Sequence, residues 1–267
     1  MGRIALAFLR RDFLLAVSYR GAFILQQLGI AFGVPVLYFI SQVMEGGQAD
    51  SLAQYGGKYF PFLLLGVAFQ DFITVSQSSF TTSIREHQFM GTLEIVMLSP
   101  TPVPLILIFS SLWGYIFTSF RFVIYLLCGF LFGLDLSAAN VPGFLLILVL
   151  SVASMASLGI LIAAATLIIK RSEGINLMMT GISLAFGGVA YPVTLLPDWL
   201  QWVPKVIPFS YALQGMRSSL LTGAGVLELL PAINALALFS VVLLPIGLYA
   251  FSLATRYAKI NGTLGQY

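Results

Sequence analysis

An all-α integral membrane fold of six spans is what this sequence predicts, and three observations carry the prediction. Of 267 residues, 59% are hydrophobic and 9% charged, against roughly 25% charged in an average soluble domain. The mean hydropathy is +0.97. The apolar residues also gather in stretches of about 20 or more, the length a helix needs to cross a hydrocarbon core. Thirteen basic and ten acidic side chains could not keep a soluble fold of this length in solution.

The stretches place spans at about 22–43, 60–79, 104–134, 141–169, 175–193 and 229–255. Pro35 lies inside the first and should kink it. The third is long enough to tilt or to break. Residues 1–20 come before the first span and alternate Ile4, Phe8, Leu9, Phe13, Leu14 and Val17 with Arg3, Arg10 and Arg11. That pattern predicts an amphipathic helix lying in the membrane interface, its cations near anionic headgroups. The alternative is a cytoplasmic extension of the first span. The basic start is followed by an apolar stretch too long for a cleavable signal.

Orientation follows from where Lys and Arg fall. With the N-terminus inside, Arg3, Arg10, Arg11, Arg20, Arg85, Lys170, Arg171, Arg256 and Lys259 face the cytoplasm. Lys58, Lys205 and Arg217 face outside, and Arg121 falls within the third span. Nine against three puts both termini in the cytoplasm.

Counting also excludes whole classes of chemistry. One histidine (His87) and one cysteine (Cys128) cannot build a His/Cys metal site, so neither a metal nor a catalytic group is expected. No basic run interleaved with aromatics suggests nucleic acid. No G-x-x-x-x-G-K-[ST] occurs, and Gly57-Lys58 is followed by Tyr59. The chain therefore lacks that device for holding nucleotide phosphates.

Close helix packing is expected at two places. Gly129 and Gly133 form a GxxxG spacing, and Ser154, Ser157, Gly159 and Ala163 to Ala165 give the fourth span a small face. Two charges lie within spans, where they are costly and usually have a reason. Asp71 sits roughly 16 Å and Arg121 roughly 20 Å below the outer ends of adjacent antiparallel helices. An Asp71–Arg121 ion pair is expected, either as a static tie or as part of a translocation path.

Between the second and third spans lies a connection over 83–99, punctuated by Gly91, Pro100, Pro102 and Pro104. A short helix near 92–98 bracketed in this way could project as a knob, though an ordinary loop is equally compatible. After the fifth span, 194–222 holds Trp199, Trp202 and Tyr211, with prolines at 192, 197, 204 and 208 around them. Indole and phenol rings favour the headgroup level, and the prolines forbid one long helix. Two short helices dipping back into the outer leaflet are expected, with a simple interfacial belt as the alternative.

These two segments carry a resemblance. Glu86, then Gly91-Thr92-Leu93-Glu94, then Ser99-Pro100 is similar to the loop joining the second and third spans in permease subunits of the type-2 ABC exporter family. Pro192, then Leu196-Pro197-Asp198-Trp199-Leu200, then Pro208 and Arg217 resembles that family's re-entrant pair. Length, span count and an N-terminal interfacial helix agree as well.

The resemblance implies a dimer of two permease copies above two cytoplasmic ATPase subunits, which would hold the ATP and Mg. It implies that 83–99 is the coupling helix, with Arg85, Glu86, Gly91, Thr92, Leu93, Glu94 and Pro100 meeting the ATPase. Pro197, Trp199, Trp202, Pro208 and Arg217 would belong to the outer re-entrant region. The expected role is export of an amphipathic or lipid-linked substrate across a bacterial inner membrane, without enzymatic activity in this chain. A lipid-linked polysaccharide is an alternative cargo, although Ile207-Pro208 stands where such exporters often have Asn-Pro. An ion-gradient carrier would need more intramembrane carboxylates than Asp71. A lipid-modifying enzyme would need a second positioned group beside it.

Overall fold

The computed structural model describes residues 2–44, 52, 55–91, 103–169 and 173–260, and among them there is no strand. Eight helices account for most of these residues. They are α1 (Gly2–Ser18), α2 (Arg20–Met44), α3 (Tyr59–Phe89), α4 (Val103–Leu131), α5 (Val141–Ile169), α6 (Glu173–Phe186), α7 (Pro208–Leu221) and α8 (Val226–Ile260). Two 3₁₀ turns, Val193–Leu195 and Pro204–Val206, lie between α6 and α7.

Among the described residues, five helices are long and apolar enough to cross a membrane: α2, α3, α4, α5 and α8. The expected span at 175–193 is the exception to the six. Its helix, α6, has 14 residues, about 21 Å at 1.5 Å per residue, against a hydrocarbon core of about 30 Å. It stops because Gly187 and Gly188 follow, and Gly188 has a φ of +78°, which only glycine adopts without strain. The apolar run continues past that point, but the helix does not.

The other boundaries differ in instructive ways. α2 passes through Pro35 without ending. α3 runs to Phe89, so the expected connection from 83 begins in helix; it ends at Gly91, with a φ of +65°. α5 keeps the expected bounds because Asn140 caps it: its Oδ1 accepts the Gly143 N–H at 3.0 Å. The same side chain donates Nδ2 to the Ala224 carbonyl at 2.8 Å, tying the start of α5 to the turn between α7 and α8.

Helix α1 packs along α4. Phe8 meets Phe109 and Phe13 meets Trp113, so five residues of α1 keep pace with four of α4. Phe23 of α2 continues the series onto Phe117 and Phe120. The chain between α1 and α2 is interrupted only at Tyr19, whose carbonyl accepts the Phe23 N–H.

The core is organised around α3. In its most apolar stretch 72% of residues are buried, against 11% for α2. Phe60, Leu64, Leu65, Phe69 and Phe72 pack with Tyr115 and Phe122 of α4, Ile147 and Met155 of α5, and Phe209, Leu213 and Met216 of α7. A second cluster joins Phe80 and Ile84 to Ile160, Ala163 and Leu167 of α5 and Phe251 and Ala254 of α8.

Small residues set the spacing. A Cβ at Gly159 would run into the Ser76 carbonyl and the Phe80 ring, and one at Gly129 into Leu64. The GxxxG spacing, however, is not a packing motif. Gly133 touches nothing through its missing Cβ and has a φ of +87°; it ends α4, where the Leu134 N–H returns to the Gly129 carbonyl. Hydroxyls within the spans bond back to their own helices, as Ser76 does to Phe72, Ser151 to Ile147 and Thr166 to Ile162. They are thereby satisfied without water.

Gly159→Ala is expected to destabilise the chain by about 1–3 kcal/mol through overpacking against α3. Gly181→Ala in α6, where a Cβ meets nothing within 4 Å, should be neutral or slightly stabilising. Thermal unfolding of both variants in detergent checks the contrast.

Candidate functional site

Three sites along α3 draw in the charged residues of the membrane-embedded part. The first lies where α3 begins. Arg217 of α7 is 2% exposed, and its guanidinium is aimed at backbone oxygens instead of water. Nε and Nη2 donate to the Phe62 carbonyl at 3.2 and 2.8 Å. Nη1 donates to Gly188 at 2.6 Å and Nη2 to Val189 at 2.8 Å. The Phe62 ring lies 3.4 Å from the guanidinium carbon, a cation–π contact.

Each local feature of this arrangement has a cause in the sequence. Gly66 leaves the gap through which Arg217 reaches the α3 backbone, because a Cβ there would strike the Val189 carbonyl. Gly187 lets the Phe209 ring come against the chain, and Gly188 turns it so that successive carbonyls face Arg217. Tyr59 adds a hydroxyl hydrogen bond to the Ala190 carbonyl at 2.7 Å, and Tyr191 closes back onto the Ala185 carbonyl. Arg217 was expected among the external cations; it is buried because carbonyls, not solvent, solvate it.

α7 runs antiparallel to α3. Phe209 stacks on Phe69 at 5.6 Å, while Arg217 reaches Phe62. Pro208 opens α7 at a position where a missing N–H costs nothing. The segment before it folds into turns: the Leu200 N–H bonds to the Pro197 carbonyl at 2.8 Å, and the Tyr211 hydroxyl to the Lys205 carbonyl at 3.1 Å. Trp199 and Trp202 are 72% and 62% exposed. Between these turns and α7 lies a cavity of about 360 Å³, with Tyr55, Gly188, Pro192, Lys205, Tyr211 and Arg217 in its wall.

Halfway along α3, Asp71 meets Arg121 of α4, with Oδ2 and Nη2 2.9 Å apart and each side chain about a quarter exposed at 23% and 25%. The contact is one of charge more than of aligned hydrogen bonds. Asp71 Oδ2 and Arg121 Nε have no hydrogen-bond partner among the described residues, and neither do the amide groups of Gln70 and Gln27. One turn beyond, the Tyr115 hydroxyl donates to Ser76 Oγ at 2.9 Å.

At the far end of α3, Arg85 and Glu86 occupy the last helical turns, Glu86 exposed and Arg85 with its guanidinium carbon 5.8 Å from the Phe89 ring centre. The Met90 N–H returns to the Glu86 carbonyl at 2.9 Å before Gly91 turns the chain. Thr92, Leu93, Glu94 and Pro100 lie outside the described residues.

Sequence reasoning thus placed Asp71 beside Arg121, and it missed the carbonyl cradle of Phe62, Gly66, Gly188 and Val189. The Gly187-Gly188 pair inside an apolar run was the one available signal. Among the described residues no group of three His, Cys, Asp or Glu side chains could hold a metal ion.

Two substitutions test these sites. Arg217→Lys keeps the charge but cannot reach three carbonyls with one ammonium; a loss of about 2–3 kcal/mol is expected. Asp71→Asn should cost about 1–3 kcal/mol, less than for a fully buried pair, and the Asp71→Asn/Arg121→Gln double variant less than the sum of the two singles. Thermal melts in detergent measure both.

In comparison with known protein families, the model described as ABC-2 type transporter aligns with residues 5–221. Among curated proteins nothing matches the chain.

Proposed function

The chain belongs to the ABC-2 type transporter family, as a transmembrane subunit of an ABC exporter, and from that premise we propose how it is driven and what it moves. It is a multi-pass membrane permease of a kind that carries no nucleotide-binding domain of its own. We assign the driving force to two cytoplasmic ATPase subunits, which hold ATP and Mg, acting on two copies of this permease in a bacterial inner membrane. The cargo is an amphipathic or lipid-linked molecule moved from the cytoplasm or the inner leaflet, with both termini of the permease in the cytoplasm.

The observation that carries this reading is the length of α3. Its 31 residues make a rod of about 46 Å, longer than a hydrocarbon core of about 30 Å. A partner that grips the end bearing Arg85 and Glu86 therefore grips the same rigid body that holds Asp71 at its middle and the Phe62 carbonyl at its start. Displacement at one end is delivered to the Arg121 contact and to the Arg217 cradle without passing through a loop. The connection at 83–99 is the proposed docking element, with Arg85, Glu86, Gly91, Thr92, Leu93, Glu94 and Pro100 facing the ATPase. The segment 194–222, with Pro197, Trp199, Trp202, Pro208 and Arg217, is the proposed re-entrant unit at the outer face. Its support is that α7 runs back alongside α3 from Phe69 to Phe62, while Trp199 and Trp202 stand exposed as headgroup-level rings do.

The cargo class rests on the composition of the spans. Apolar spans whose described residues hold one ion pair, Asp71–Arg121, suit an amphipathic solute better than a highly charged one, and they offer too few carboxylates for coupling to a proton gradient.

Co-purification in mild detergent tests the assignment. The chain should retain a stoichiometric ATPase, and reversing the charges of Glu86 and Glu94 should reduce its recovery to about a tenth. Repeated recovery of the permease alone, across several detergents, would argue for a carrier that needs no ATPase.

A further inference from the structure

We propose that the cavity between the 193–206 turns and α7 is a binding site for a phosphate group, of the kind carried by an anionic phospholipid headgroup. The inference does not depend on the ATPase assignment. The wall holds two cations, Lys205 and Arg217, together with Thr194, Ser210, Tyr211 and Gln214, and among the described residues it holds no carboxylate. The nearest acid on the same turns, Asp198, is not part of the wall and accepts a hydrogen bond from Gln201 Nε2 at 3.3 Å. A cavity whose described wall has two cations and no acid favours negative charge.

Arg217 supplies the independent reason. A guanidinium has five N–H donors, and the described carbonyls take four of them. Carbonyl dipoles solvate the charge without neutralising it, and no carboxylate pairs with it among the described residues. An anion entering the adjoining cavity supplies the missing countercharge, and phosphate oxygens match both an Arg fork and a Lys point charge. α7 contributes Ser210, Tyr211, Gln214 and Arg217 to the wall, so one side of that helix faces the cavity.

The surroundings favour a lipid as the source. A volume of about 360 Å³ is at the small end of the roughly 300–1,000 Å³ of small-molecule sites, enough for a phosphate with its head alcohol but not for acyl chains. Leu195, Trp199, Trp202 and Val206, exposed on the turns that form one wall, offer an apolar exterior where such chains could lie.

The test uses the whole chain, purified in an uncharged sugar detergent and examined by native mass spectrometry. It is titrated with short-chain phosphatidylglycerol, with the matched diacylglycerol, and with inorganic phosphate as competitor. Saturable retention of phosphatidylglycerol, and none of diacylglycerol, is expected. Lys205 is exposed, so Lys205→Gln should fold normally and bind the lipid about tenfold more weakly. Weak competition by inorganic phosphate would identify the lipid headgroup as the source, and competition as strong as the lipid's own binding would identify free phosphate. Equal binding of diacylglycerol, absence of saturable binding, or a Lys205→Gln variant that binds like the parent would each overturn the proposal.

Discussion

One buried guanidinium holds together three segments that the chain brings in from far apart. Arg217 bonds to a carbonyl 155 residues away in α3 and to two others 29 and 28 residues away at the end of α6. Taking an ion out of water costs several kcal/mol even after relaxation, and each hydrogen bond to a charged group returns about 1.5–3 kcal/mol. Four such bonds are of the size needed to offset that cost, and three of them are 2.8 Å or shorter. Gly66 follows from the same requirement, since a side chain there would strike both the Val189 carbonyl and the guanidinium, and Gly188 supplies the left-handed turn that presents the carbonyls.

The bundle has a second dependence, on α3 as its shared member. α3 supplies the acceptor for Arg217, the acid for Arg121, the serine for Tyr115 and the carbonyl against which Gly159 packs. Helices α4, α5 and α7 meet it on different faces, so it has almost no side left for lipid. Helix α2 is the opposite case: Leu25, Phe32, Val36 and Phe39 point outward, and its place in the membrane needs no precise neighbour.

That difference explains what was legible in the residues. A long apolar helix such as α5 was legible because apolar length is a local property. Asp71 and Arg121 were readable as a pair because opposite charges on adjacent antiparallel helices gain by sharing a depth. The partners of Arg217 were not legible because counting cations by side assumes that charge seeks water, and those partners are main-chain oxygens that no side-chain pattern records. The helix expected to run through 175–193 ends at Phe186 for a related reason: hydropathy continues smoothly across Gly187 and Gly188, while the backbone has already turned to present its carbonyls. Gly133 shows the same blindness in miniature, a spacing that suggested contact at a residue whose role is a left-handed turn.

Biosynthesis meets these constraints in sequence order. α3 has a mean hydropathy of 1.4, the lowest of the five long apolar helices, and the largest buried share. An aspartate near the middle of a span opposes insertion by roughly 2.5–3.5 kcal/mol. A nascent chain emerging as far as Gly91 carries that aspartate before Arg121 exists, and the polar hydroxyl stripe of α3 before α5 can cover it. The least lipid-soluble helix is therefore made early and completed late, so its residence in the bilayer is settled by what the ribosome adds afterwards.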